Sequence, residues 1–288
     1  MIRARRGSLR PDELVAAALA EDIGDGDRTT AWTVPDDLPG RARIIAREAG
    51  VVAGTRVAGA TFLAVEPALE LRWEREDGEA VSAEETVMTV SGPLGGVLTA
   101  ERTALNFLAR LSGIATLTAR FAEAVRGTGC RVTDTRKTTP GWRTLEKAAT
   151  AAGGAVNHRM GLYDMVLVKE NHIRAAGGIG PALQRVREPA AREGLEVEIE
   201  VTSLEELEEA LEAAPDRILL DNMDPSSLRS AVGRVRRRSG PRPLLEASGG
   251  VDLESVREVA GTGVDLVSVG ALTHSAPALD LSLLVEAG

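Results

Sequence analysis

Residues 134–173 read DTRKTTPGWRTLEKAATAAGGAVNHRMGLYDMVLVKENHI. Apolar runs suited to a folded interior alternate here with Arg136, Lys137, His158, Arg159 and Lys169. Cations are costly to bury without a counter-charge, so the alternation implies that these groups face an anion. Lysine usage sharpens the point. The chain carries three lysines (Lys137, Lys147 and Lys169) against thirty-one arginines, and all three fall in this stretch. One or more of these positions therefore calls for a compact ammonium charge rather than a planar guanidinium. The competing reading is a plain basic loop between two helices.

From Cys130 onward the chain repeats one theme. Segments of strand length, CRVTDT, GAVNHR, DMVLVKE, LEVEIEV, DRILLDN, PLLEASG and DLVSVG, alternate with helical segments such as SLEELEEALEAA. This is the pattern of parallel βα units. In LEVEIEV the acids Glu196, Glu198 and Glu200 share one face and Leu195, Val197, Ile199 and Val201 the other. The period of two predicts an apolar face under the helices and acids lining a barrel interior. The segments end in polar or small residues: Asp134 to Lys137, His158 and Arg159, Lys169, Glu200, Asp221, Ser248, and Ser268 with Gly270. In an α/β barrel such ends converge on one mouth, where active sites are built. Seven units fall one short of an eightfold barrel, which leaves closure incomplete. The Glu run of SLEELEEALEAA and the GRVRRR run of 233–238 read as solvated helix faces.

Upstream, residues 11–20 predict a short amphipathic helix, followed by an acidic turn, EDIGDGDRTT. Its clustered carboxylates suit either a metal or, more simply, a solvated loop. Residues 42–90 alternate in strand fashion through ARIIARE, LELRWERE and TVMTVSG, with a tight turn at Asp77-Gly78 and a helix around 54–65. Ser91-Gly92-Pro93 breaks the pattern. A long helix is expected from about Thr99, its apolar stripe formed by Leu105, Leu108, Leu111 and Ile114, with a kink at Ser112-Gly113.

The chain of 288 residues is long enough for one large barrel or two domains, with an ordinary hydrophobic fraction of 43% and few aromatics. A net charge of −9 argues against nucleic acid and anionic membranes as partners, while a local basic site suits a small anion. The single Cys130 excludes an intramolecular disulfide and a cysteine-rich metal site. The Arg-rich start imitates a signal peptide. Asp12, Glu13, Glu21 and Asp22 bracket its apolar run too closely, so a helix and a cytoplasmic location are expected. No Walker, zincin, dinucleotide or nucleophile-elbow motif is present. His274 reads as a cap rather than a catalyst.

The mouth thus gathers cations from its first half and two acids, Glu200 and Asp221, placed to hold a divalent cation or stabilise a cationic transition state. Small-residue loops at SGG (248–250) and SVG (268–270) expose backbone N–H groups suited to phosphate. The implied ligands are a phosphate, a metal-bound phosphate chain and carboxylates.

DTRKTTPGWRTLEK, NHRMGLYDMVLVKENHI, ILLDNM, LEASGG and GVDLVSVGALTHSAPALD, with ERTALNFLARLSGIATLT and EDIGDGDRTT upstream, resemble the quinolinate phosphoribosyltransferase family nearly end to end. Ala155 and Glu170 depart from residues common in that family without removing a charged site residue. The resemblance implies an N-terminal α/β sandwich domain (1–112) and a seven-stranded open α/β barrel (113–288), with the last residues packing back on the first domain. It implies a homodimer in which Arg102 completes the partner's site. Quinolinate would be bound by Arg102, Arg136, His158, Arg159 and Lys169, with Thr135 and Lys137 in the same anionic region. Glu200 and Asp221 would lie near the ribose and the Mg²⁺-pyrophosphate, and Lys169, Glu200 and Asp221 would be the catalytic set. Ser248, Gly249, Gly250, Val269, Gly270 and Ala271 would form the phosphate loops. The implied reaction joins quinolinate to phosphoribosyl pyrophosphate with loss of carbon dioxide. Rivals are a paralogue of the same fold with another acceptor, such as the molybdenum-transport-associated relatives, a nicotinate-specific transferase, and a catalytically silent binder.

Overall fold

The computed structural model describes residues 10–286. The Arg-rich start that imitates a signal peptide, residues 1–9, lies outside them. The described residues divide into two compact units: residues 10–119, 138–154 and 272–286 form the first, and residues 120–137 and 155–271 the second.

The first unit opens with α1 (Pro11–Ile23), begun by Pro11 and acidic Asp12 and Glu13 in its first turn. The acidic turn after it becomes a second helix, α2 (Arg28–Thr33), because Asp27 caps it, accepting from Thr30 N at 3.0 Å and Thr30 Oγ1 at 2.6 Å. Asp22 and Asp27 also accept from Thr103 and Thr99. Two of the carboxylates of this segment, Asp22 and Asp27, are thus committed to capping and packing. Among the described residues, the group of metal-ligating side chains close enough to hold an ion lies elsewhere.

Next come β1 (Pro39–Ala46), β2 (Gly50–Val51), α3 (Thr55–Val65), β3 (Glu70–Trp73), β4 (Ala80–Val81), β5 (Thr86–Pro93) and α4 (Leu94–Ala124). β5 pairs antiparallel with β1 and β3. Asp77 supplies a carboxylate that accepts from Thr55 N at the start of α3. The sheet buries Ile44, Met88 and Val90 against Phe62 of α3 and Val97, Leu105 and Leu108 of α4. α4 starts directly after the Ser-Gly-Pro segment, five residues before the expected Thr99. Gly96 is needed for close packing rather than a turn, since a Cβ there would lie 2.5 Å from Glu66. Nor do Ser112 and Gly113 interrupt the helix. Ser112 Oγ bonds the backbone of Ala53, and Gly113 admits the Pro277 carbonyl, which a Cβ would meet at 1.9 Å.

The second unit holds β6 (Arg131–Thr133). After it, α5 (Arg143–Ala152) belongs to the first unit, where Arg110 and Thr139 saturate the buried Glu146 carboxylate. There follow β7 (Val166–Val168), α6 (Glu170–Ala176), α7 (Ile179–Glu193), β8 (Val197–Val201), α8 (Leu204–Glu212), β9 (Arg217–Asp221), α9 (Pro225–Arg237), β10 (Leu244–Ser248), α10 (Val256–Ala260) and β11 (Leu266–Ser268). α11 (Ala271–His274) precedes β12 (Leu281–Val285), which pairs antiparallel with β1 in the first unit.

The barrel strands form a six-stranded parallel sheet in the order β6-β11-β10-β9-β8-β7. The seventh expected strand, GAVNHR, is reduced to one parallel bridge between Val156 and Thr133. Past the bridge it is held by Asp134, which accepts from the Asn157 side-chain Nδ2 at 2.7 Å and the His158 backbone N at 2.9 Å. The ladder order places the open seam between this segment and β7. Ile199, Val201, Ile218, Leu220 and Val267 are fully buried on the helix-facing side, as the period of two requires. Among the described residues no helix is long and apolar enough to cross a membrane.

Candidate active site

The inward-facing positions of the barrel make two layers. Nearest the mouth lie Lys169, Glu200, Asp221 and Ser248; two positions deeper lie Leu167, Glu198, Leu219 and Glu246. The mouth opens on a cavity of about 630 Å³. Of the sequence-nominated residues, Thr135, Arg136, Lys137, His158, Arg159, Lys169, Glu200, Asp221, Ser248, Gly249 and Gly250 line it. Val269, Gly270 and Ala271 do not. Val269 is buried, its N–H donating to Thr133 O at 3.0 Å as the barrel ladder continues. Arg102 is exposed on α4 in the first unit and is likewise not a lining residue.

Each polar group is held by local geometry. Lys169 Nζ donates to Glu200 Oε2 at 2.8 Å, and Lys169 N donates to His172 Nδ1 at 3.0 Å where α6 begins. That ammonium is half exposed, so its partner does not remove it from solvent. Ser248 pairs in register with Asp221, whose Oδ2 accepts from Asn222 Nδ2 at 2.6 Å. Asn222 adopts a left-handed φ of 54° and sends its N–H to Ser248 O at 2.8 Å. Gly249 makes this crossing possible: its φ is +103°, and a Cβ would lie 2.1 Å from Asn222 Oδ1.

The guanidinium pair supplies the anion-binding character. Arg136 Nε is buried without an acceptor. Burial, and next the repulsion of Arg136, push Arg159 down from the ordinary arginine range. Two guanidinium groups lining one cavity and repelling each other, one with an unsatisfied buried donor, define a receptor for planar anions.

The deeper layer was less legible. Glu246, Asn222, Leu167 and Leu219 also line the cavity, and none was nominated. The available signal for Glu246 was its place two residues before Ser248, on the same strand face. His158 Nε2 lies 2.9 Å from Glu198 Oε2 and 3.5 Å from Glu246 Oε2, and its Nδ1 accepts from Arg159 N at 2.8 Å. Burial first, and then the neighbouring Glu198, push the Glu246 carboxyl up to about 7. His274, by contrast, is exposed and bonded to Ser275 Oγ at 2.6 Å.

An open α/β barrel with paired guanidinium groups, an ammonium and two carboxylates at its mouth is a site for polyanion chemistry. Profiles of the quinolinate phosphoribosyl transferase N-terminal and C-terminal domains match residues 27–112 and 114–284. The chain belongs to the quinolinate phosphoribosyl transferase family. It is 44% identical over 267 residues to a probable carboxylating nicotinate-nucleotide pyrophosphorylase of Synechocystis sp., covering 93% of this chain and 90% of that one. It is 44% identical over 277 residues to the carboxylating nicotinate-nucleotide pyrophosphorylase of Mycobacterium leprae, covering 94% and 95%. The solved nicotinate-nucleotide pyrophosphorylase of Francisella tularensis superposes with a TM-score of 0.91 at 38% identity, covering 96% of each chain.

Proposed function

We infer that this protein transfers the phosphoribosyl group of phosphoribosyl pyrophosphate to quinolinate and releases carbon dioxide, giving nicotinate mononucleotide and pyrophosphate for NAD biosynthesis. The observation that carries the reading is the composition of one cavity: Arg136, Lys137, Arg159 and Lys169 facing Glu200 and Asp221 at the strand ends of a barrel. Identity to enzymes named for this reaction supports it.

The chemistry follows from those groups. Two adjacent ring carboxylates call for multi-donor cations, which Arg136 and Arg159 supply with Lys169 as a point charge. As the C1–O bond to pyrophosphate breaks, the ribose gains oxocarbenium character, which Glu200 and Asp221 are placed to stabilise. The ring nitrogen then bonds to C1 and becomes cationic. The carboxylate beside it leaves as carbon dioxide, its electron pair remaining on the ring carbon next to the cationic nitrogen until a proton replaces it. No covalent enzyme intermediate is required, because positioning and fixed charge do the work.

Mg²⁺ fits the donor set in a limited way. Glu200 accepts from Lys169 Nζ on one oxygen and, at 3.5 Å, from Glu170 N on the other, and one Asp221 oxygen is taken by Asn222, so each carboxylate offers at most a single oxygen. That suits an ion held mainly by substrate phosphates and water. When bound, Mg²⁺ would neutralise charge on the pyrophosphate leaving group. Ser248, Gly249 and Gly250 hold phosphate at the mouth; Gly270 and its neighbours stand outside the cavity and support it through the β11–β6 ladder. The working unit is a homodimer in which the exposed Arg102 completes the partner's site. A cytoplasmic location belongs to the same reading, resting on the acids that bracket the first apolar run.

The test is a direct one. Purified protein with quinolinate, phosphoribosyl pyrophosphate and Mg²⁺ should form nicotinate mononucleotide, resolved by chromatography. Absence of that product would sink the assignment.

A further inference from the structure

The deeper layer of the barrel contains a cluster that the reaction as described does not use. Glu198 and Glu246 are 0% and 1% exposed. Glu198 Oε1 and both Glu246 oxygens lack a hydrogen-bond donor. Two carboxylates in such a place are expensive, and each unsatisfied one calls for an explanation. They converge on one group, His158 Nε2, at 2.9 and 3.5 Å.

The other ring nitrogen fixes the proton count. His158 Nδ1 receives the Arg159 backbone N–H at 2.8 Å, so it must present a lone pair. The ring proton then sits on Nε2, directed at the acids. The ring is therefore a wedge between the acids below and the backbone of Arg159 above. Arg159 in turn aims the guanidinium that stands beside Arg136, with Nη1 donating to Met165 O at 3.3 Å.

We propose that Glu198 and Glu246 form a buried positioning pair for the quinolinate-binding half of the site, fixing His158 through its Nε2–H and, through Nδ1, the backbone of Arg159. The two acids differ in task. Glu198 holds the short hydrogen bond. Glu246 adds a titrating charge under the anion site, with a carboxyl lifted to about 7. The charged and titratable groups around it are Glu198, His158 and Arg217, with Cys130 within its field and Asp134 and Asp221 along the same cavity; β11 presents Ser268. Its ionisation places a second negative charge beneath a site that must bind a dicarboxylate, so quinolinate binding weakens as pH rises through 7.

The inference rests on quinolinate being the acceptor, and the experiment separates the two claims. Calorimetric binding of quinolinate, and its KM with phosphoribosyl pyrophosphate saturating, are measured for the wild type, Glu198→Ala, Glu198→Gln and Glu246→Gln between pH 6 and 8.5. Glu198→Ala should raise the quinolinate KM by about tenfold or more with little change in the KM for phosphoribosyl pyrophosphate. Glu198→Gln keeps an acceptor for Nε2–H and should stay within about threefold of wild type. Wild-type affinity should fall several-fold above pH 7, and Glu246→Gln should lose that limb.

Equal damage from Ala and Gln at position 198, or a pH limb that survives Glu246→Gln, overturns the pair's role while leaving the reaction standing. A wild type that turns over nothing yet binds quinolinate with these pH and variant effects removes the reaction and leaves the pair. A wild type that does not bind quinolinate removes both. Should Glu198→Ala fail to fold, the wild-type ring reports directly: the chain has three histidines, and ¹⁵N spectra should show one held in the Nε2–H form from pH 6 to 8. Three freely titrating rings would contradict the proposal.

Discussion

The two layers of the barrel interior lie one strand repeat apart and are built to opposite specifications. At the mouth, Lys169 is 48% exposed and its partner Glu200 14%. Two residues deeper, Glu198 and Glu246 are closed off from water, and three of their four oxygens have no hydrogen-bond donor. Exposed charges can exchange partners, so Lys169 can leave Glu200 when an anionic ligand arrives. Buried charges cannot exchange without large cost, so the deeper layer holds a shape. Delivery of charge and fixing of orientation are thus divided between successive positions of the same strands.

If that division holds, the largest effect belongs to the mouth. Lys169→Ala should leave the fold intact and lower turnover by about a hundredfold or more, the scale for removing one preorganised donor. Mixing it with an Arg102→Ala variant sharpens the result. With sites shared across a dimer, random exchange should restore about a quarter of wild-type activity, because half the dimers carry one intact site. Near-normal turnover in Lys169→Ala refutes its role, and no restoration refutes the shared site.

Gly249→Ala comes next. The added Cβ meets Asn222 Oδ1 at a φ of +103°, so the Ser248–Asn222–Asp221 crossing must open. A rise of about tenfold in the KM for phosphoribosyl pyrophosphate is expected, equivalent to strain of about 1–2 kcal/mol. An unchanged KM would place phosphate elsewhere.

The smallest effect is thermodynamic and belongs to the deeper layer. Glu246 rises from 4.5 to about 7 on folding. Below its unfolded value it is protonated in both states. As pH climbs through this window the unfolded chain releases a proton that the folded chain keeps, so stability is lost progressively, by on the order of 3 kcal/mol once pH exceeds 7. Glu246→Gln cannot ionise. Its Tm relative to wild type should therefore be higher at pH 8 than at pH 5 by several degrees. A difference that does not change with pH would mean that Glu246 does not titrate in this window.

How far the sequence reveals these layers depends on what each residue stands beside. The alternation of LEVEIEV exposes Glu198 and Glu200 as interior because three acids recur at period two. Glu246 hides in PLLEASG, where a lone acid among small and apolar residues has only its two-residue spacing to Ser248 to mark it. GAVNHR has strand composition yet forms one bridge, and past it Asp134 takes the His158 backbone amide, which nothing local in the segment announces. Gly113 looks like a break from sequence and proves to be a point of close packing, a distinction that only tertiary neighbours make. Arg102 shows the opposite limit: its exposure on α4 is ordinary, and its proposed role depends on a second copy of the chain.

The most direct measurement of the central claim, that this mouth is shaped for two ring carboxylates, compares acceptors. Initial rates are taken with quinolinate and with nicotinate at equal concentrations, with phosphoribosyl pyrophosphate and Mg²⁺ present, following mononucleotide and carbon dioxide together. The account predicts mononucleotide and carbon dioxide in equal amounts from quinolinate, and little product from nicotinate. Turnover of nicotinate without quinolinate would contradict it.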